Sequence, residues 1–214
     1  MTGDPGIGAS RQFDLRGGDV LTDEWKEAWQ PVIDRIGDSL TTGDVRWAPD
    51  RVEAGAIRRW LEPLEFDCAL HDDREVAQAQ GYLDIVAPMT SLGTFAAPSL
   101  RAKGACLFTK AERNAQPHVR SLRPPLPAEA PPVSGYFATD MEFEYLRPVT
   151  VGERLGRRGL RLAACVPKET KVGRGAFVTF EVEMVSSRGD VVSRMRYGLF
   201  CYNPHPQPTP GTVS

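Results

Sequence analysis

Along the C-terminal half of the chain, apolar and polar residues alternate in long runs. Met141, Phe143 and Tyr145 are separated by Glu142 and Glu144, the two-residue period of a strand with one face buried. Pro148 ends that strand and Gly152 marks a turn. A second apolar run, Leu160 to Val166, closes at Pro167 and a polar, Gly-containing loop. Phe177 to Val185 then sets Val178, Phe180, Val182 and Met184 on one face, against Thr179, Glu181 and Glu183 on the other. Arg188, Gly189 and Asp190 turn the chain into a last run, Val191 to Tyr202. Four strands joined by short turns predict an antiparallel meander.

The N-terminal half follows the helical period instead. Trp25, Trp29, Val32, Ile33 and Ile36 recur mostly at three- and four-residue steps, which predicts a helix from Asp23 to Ile36. Thr22 or Asp23 caps its start, Pro31 kinks or breaks it, and Gly37 ends it. A short extended piece around Val45 to Trp47 follows. Ala54 to Leu61 is a second helix, with Ile57, Trp60 and Leu61 on one side, stopped by Pro63. Asp72 and Glu75, three apart, open a third short helix in the manner of a capping box, and Gly81 closes it. Pro88 suits the first turn of a more apolar helix, Met89 to about Ala97, because its missing N–H would be unpaired there anyway.

Six prolines between Gly104 and Ser134 exclude a central strand and predict a long loop or lid. The chain divides into a flexible N-terminal tail at 1–20, a helical extension at 21–44, a sheet-bearing domain at 45–203 that includes the Pro-rich loop at 104–134, and a disordered tail at 204–214. The class is α+β, helices first and then a mainly antiparallel sheet wrapping the most apolar helix.

Composition narrows the function. At 214 residues, with 41% hydrophobic and 25% charged residues, this is an ordinary globular composition with one sizeable core. A net charge of -2 supplies no cationic excess to release phosphate counterions, which argues against nucleic acid as a main partner. The first ten residues lack the basic flank and apolar core of a secretion signal, and no apolar run reaches the length of a membrane span. The expected address is cytoplasmic, with no membrane partner. Cys68, Cys106, Cys165 and Cys201 are far apart and without a His at ligand spacing, so they read as small thiols, and no metal site is expected.

Few residues carry obvious chemistry. His71, beside acidic residues at a helix start, reads by itself as an ordinary polar loop residue; Asp67, Asp72 and Asp73 read as solvated groups and caps. His118 and His205 lie in Pro-rich segments and read as surface residues. Lys168, Lys171 and Arg174 read as a solvated hairpin tip, or as cations placed to meet phosphate.

Three stretches, in order, resemble the MaoC-type hotdog family and its N-terminal MaoC dehydratase branch. They are Val52 to Trp60; Leu70 to Ala77 with Gly81 to Pro88; and Phe143 to Glu153. The loop from Lys168 to Gly175 and the turn at 188–190 match as well, so the resemblance covers roughly residues 45–202. It implies a single hotdog fold, in which the sheet wraps a central helix, here Pro88 to Ala97, and which associates with a second hotdog chain as a homodimer or as a heteromer with a catalytic MaoC-type subunit. It also implies enoyl-thioester hydratase or 3-hydroxyacyl-thioester dehydratase activity on an acyl-CoA or acyl-carrier thioester, with no cofactor.

Such chemistry needs a base for water, an acid for the α-carbon and donors for the thioester oxygen. Active members resembling this chain carry an Asp-x-Asn-Pro-x-His pattern and a His-Gly pair opening the hotdog helix. Here His71 falls on the His position, but the Asp position falls on Phe66, the Asn on Cys68 and the Pro on Ala69. Asp67, one residue away, is the nearest carboxylate for the vacant role. Ala87 and Pro88 stand where His-Gly is usual, and Pro88 has no backbone N–H to offer. The resemblance thus implies His71 and Asp67 as catalytic candidates, and Pro88, Lys168, Lys171 and Arg174 as substrate-contacting ones. These departures point to a subunit that shapes the acyl tunnel while a partner supplies the Asp and His, as fatty-acid and steroid side-chain systems of the family do. A hotdog acyl-CoA thioesterase and a non-catalytic acyl-CoA-binding module are the alternatives.

Overall fold

The computed structural model describes residues 24–106, 108, 111 and 124–205. The tail predicted at 1–20, His118 and all but the start of the tail predicted at 204–214 lie outside them.

A single antiparallel sheet dominates: β1 (Arg46–Arg51), β2 (Gly135–Tyr145), β3 (Arg154–Thr170), β4 (Gly173–Ser186) and β5 (Val191–Pro204), in the order β1-β3-β4-β5-β2. The alternation in β4 decides which face is inside. Ala176, Val178, Phe180, Val182 and Met184 are buried, while Phe177, Thr179, Glu181 and Glu183 are only half-buried on the outer face. Register carries this pattern across the sheet in rungs. Leu162, Phe180, Tyr197 and Met141 form one, Leu160, Val182, Met195 and Phe143 the next, and Arg157, Met184, Ser193 and Tyr145 a third. Each rung brings its side chains to the inner face.

All four predicted meander strands are present and longer than their apolar runs. β2 begins at Gly135, not Met141, because an edge strand can be exposed on both faces and so carries little alternation there. β1 continues through Pro49, which an edge strand tolerates because no neighbour asks for its N–H. β5 extends through Pro204, the residue from which the disordered tail was predicted to run.

The helices are short: α1 (Glu24–Glu27), α2 (Gln30–Ile33), α3 (Ala54–Leu61), α4 (Arg74–Ala79) and α5 (Leu92–Phe95). The predicted helix at 23–36 is broken into α1 and α2, with Pro31 in the first turn of α2. The predicted Pro88 to Ala97 helix is a 3₁₀ turn, Met89–Ser91, followed by four α-helical residues. Gly93 and Thr94 are weak helix formers, and Ala96 already caps the end. The cap of α4 is Asp73, not Asp72: its Oδ1 accepts from Glu75 N at 2.8 Å and Val76 N at 3.1 Å.

Two apolar clusters cover the inner face. One joins α3 and α5 to the sheet through Ile57, Leu92, Leu155, Met184 and Val192. The other seats Trp29 and Val32 of the N-terminal helices, with Leu126 and Val133, on Leu162, Val178, Phe180 and Cys201. The fold is the hotdog arrangement with its central helix cut to about one turn, and with the N-terminal extension covering the remaining part of the sheet. Residues 37–40 also pair along β3, through Gly37 N to Leu162 O at 2.8 Å and Leu40 N to Leu160 O at 2.6 Å. No helix among the described residues is long and apolar enough to cross a membrane.

Candidate active site

His71 lies at the end of a 3₁₀ turn, Ala69–His71, between α3 and α4. The segment 85–87 fixes its position. Val86 N donates to Leu70 O at 2.9 Å, Ala87 N to Val149 O at 2.8 Å, and Val151 N to Ile85 O at 2.9 Å. The His71 Nδ1–H in turn donates to the Val86 carbonyl at 2.7 Å. Since a carbonyl can only accept, Nδ1 carries the proton and Nε2 of the neutral ring is left as the acceptor. Arg74 and Asp84, 3.0 Å apart, tie α4 to the same segment.

The chain therefore brings His71 beside the segment that leads into the central helix at Ala87 and Pro88. Asp67 does not join it. Asp67 is exposed, and among the described residues its side chain makes no hydrogen bond or ion pair. The nearest ring to His71 on that side is Phe66, 6.0 Å away between centroids and itself 53% exposed. Pro88 has no N–H, and the Ala87 N–H is already given to Val149, so neither offers a donor to an oxyanion. The Pro88 carbonyl is taken by the buried Ser91 Oγ–H at 2.6 Å.

Lys168, Lys171 and Arg174 are not part of this constellation. They sit at the far tip of the β3–β4 hairpin, whereas the His71 loop is tied to the residues preceding β3. The 17 residues of β3 amount to roughly 50 Å of strand. Arg174 is 3.1 Å from Glu169 and stacks over Trp25, and Lys168 lies over Phe177. The outer sheet face carries a recess of about 660 Å³ lined by Glu142, Glu144, Arg158, Arg161, Arg194 and Arg196 among others. Its cations are already paired, Arg158 with Glu183 at 2.7 Å and Arg194 with Glu144 at 2.8 Å.

One residue of interest escaped the sequence reading. Arg157 points to the inner face beneath α5, where Nη2 donates to Gly93 O at 2.8 Å while Nε is enclosed and unpartnered. Burial lowers its pKa from the usual arginine value, and the titratable neighbours acting on it are Tyr197 and Arg46, neither of them a carboxylate. The available signal was the pair Arg157–Arg158 inside a strand, since alternation sends one of two adjacent arginines inward. Cys165 and Cys201, free thiols on the same face, are pushed up to about 12 by burial, which leaves them protonated and inert. The described residues contain no His, Cys, Asp and Glu grouping able to hold a metal ion.

A family model described as "FAS1-like, dehydratase domain region" matches residues 39–195. The chain is 28% identical over 167 residues to a probable enoyl-CoA hydratase alpha subunit of Thermomonospora curvata, covering 77% of this chain and 49% of that protein. It thus spans about half the length of this curated relative. Among solved structures, the ChsH1-ChsH2 complex from Mycobacterium tuberculosis is similar with a TM-score of 0.59 at 20% identity, over 85% of this chain and 98% of that one. A MaoC-like dehydratase is similar with a TM-score of 0.52 at 18% identity, over 80% of this chain and 43% of that one.

Proposed function

The chain belongs to the FAS1-like dehydratase-region family of MaoC-type hotdog proteins, and from that premise we propose that it is the substrate-shaping subunit of a two-chain enoyl-thioester hydratase or 3-hydroxyacyl-thioester dehydratase. The observation that carries this reading is the state of the His71 loop. A positioned imidazole is present, but Phe66 stands in the acid's place, Asp67 faces solvent, and Pro88 removes a backbone donor. Hydration adds a water oxygen to the β-carbon and a proton to the α-carbon, and dehydration reverses both. One base, one acid and an oxyanion donor set must converge on a single acyl group. A lone imidazole does not meet that requirement, so a second hotdog chain supplies the complete Asp and His.

Two relatives support the division of labour. The curated one is called an alpha subunit, and one of the similar folds was solved as a complex of two chains. The short central helix fits the same role, because four α-helical residues fill less of the inner face than a full helix would. The stretch 89–95 carries no carboxylate to activate water, which disfavours the thioesterase alternative.

Loss of the enoyl-thioester absorbance, followed together with free thiol, tests the proposal. The chain alone leaves the absorbance unchanged while still binding acyl-CoA, and the assembled pair removes it without releasing thiol. Thiol release would indicate a thioesterase. Acyl-CoA binding with no turnover in any assembly would indicate a binding module.

A further inference from the structure

Three buried side-chain atoms lack a protein partner among the described residues: Trp60 Nε1, Arg157 Nε and Ser193 Oγ. Each carries a hydrogen to donate. Arg157 and Ser193 stand on one rung of the sheet, on either side of Met184. Gly93 of α5 lies over this rung: a Cβ built on it would come 3.8 Å from Met184 Cε and 3.7 Å from Phe143 Cζ.

Arg157 is the group whose burial is hardest to explain by packing alone. A guanidinium withdrawn from water needs an anion or a full set of acceptors. Among the described residues its hydrogen-bonding partner is the Gly93 carbonyl, no carboxylate lies within ion-pair distance, and the adjacent Arg46 adds to the positive charge. The residue as a whole is half-buried rather than sealed off. Leu160, one rung from Arg157, and Tyr197, two rungs away on the same side, pack against both apolar clusters, which places Arg157 near the point where the two clusters meet.

We propose that Arg157 receives the carboxylate of an acyl group carrying an acid at its far end, so that the preferred substrate is a thioester of a dicarboxylic acid. The proposal rests on the acyl-thioester reading above and deepens it. From Pro88, where the thioester end would enter, to Gly93 is one 3₁₀ turn and two further residues. That is roughly 9–10 Å along the helix, the reach of an acyl chain of about eight carbons. The aliphatic part passes the apolar side chains beside α5, and the carboxylate meets the guanidinium. The match is charge-assisted and favours a planar, two-oxygen acceptor.

Calorimetric titration of the full chain with two non-reacting probes tests this: octanoyl-CoA, and octanedioyl-CoA with a free terminal carboxylate. The wild-type protein binds octanedioyl-CoA at least about ten-fold more tightly, the range expected for a hydrogen bond to a charged group. Arg157→Met abolishes the preference while octanoyl-CoA binding stays within a few-fold, and Arg157→Lys keeps part of the preference. Equal binding of the two probes to the wild-type protein overturns the proposal, whether or not Arg157→Met folds, as does a preference that survives in Arg157→Met. Failure of both probes to bind the wild-type protein overturns the acyl-thioester reading itself, and this proposal with it.

Discussion

Arg147 Nη2 donates to Glu153 Oε2 at 2.8 Å, and this contact fastens the β2–β3 turn to the core. The guanidinium also holds Asp190 through Nε and Nη2, so the β4–β5 turn is drawn into the same knot. Glu153 is buried, and burial by itself would push its pKa up. Hydrogen bonds from Arg147, Ser186 and the Thr150 N–H outweigh that and hold it below the usual carboxylate range. The knot lies between the sheet and residues 149–151, which in turn hold the segment 85–87 beside His71.

A pH prediction follows from the direction of that shift. A carboxyl with a lower pKa folded than unfolded contributes stability that is fully present above the unfolded value, near 4.3 for Glu, and lost as pH falls through the folded value. Asp190 is lowered as well, chiefly by its hydrogen bond from Arg147, and acts in the same sense. Urea unfolding should therefore give a constant stability from about pH 7 to 5 and a decline below about pH 4.5. Glu153→Ala should cost about 3 kcal/mol at pH 7, at the lower end for a broken buried pair because Arg147 keeps some exposure. It should also flatten the acid limb.

Association is the second prediction. Among the described residues β2 is the outer strand of the sheet, and Phe137 and Met141 on it are exposed. Pairing with a second hotdog would cover that edge. Size-exclusion chromatography with light scattering should show a dimer or a larger assembly. Thr139→Pro, which removes an N–H within the edge strand, should shift the population toward monomer if β2 forms the contact. A stable wild-type monomer, with or without candidate partner chains, would contradict it.

The meander was legible because β4 and β5 each bury one face and keep charges on the other, so Glu181, Glu183, Arg194 and Arg196 punctuate the apolar positions. Edge strands gave weaker signals, and the first half of β2 and the stretch of β1 through Pro49 were missed for that reason. The central helix was overestimated since apolar content was read without weighing Gly93 and Thr94. At the site, His71 was singled out only through the family pattern, and its tie to the segment leading into the central helix shows in the fold alone, whereas the three basic residues of the hairpin tip lie at the other end of the β3–β4 hairpin. Arg157 was invisible as a candidate, because an arginine in a charged stretch reads as solvated until register shows which way it points.

Turnover of the assembled two-chain enzyme carrying His71→Ala in this chain tests the central claim most directly. If the partner supplies the acid–base pair, turnover stays within a few-fold of wild type, and omitting the partner abolishes it. A fall of about 10²–10⁴ with substrate binding intact, the range for losing a positioned acid–base, would contradict the account and make His71 the catalytic group.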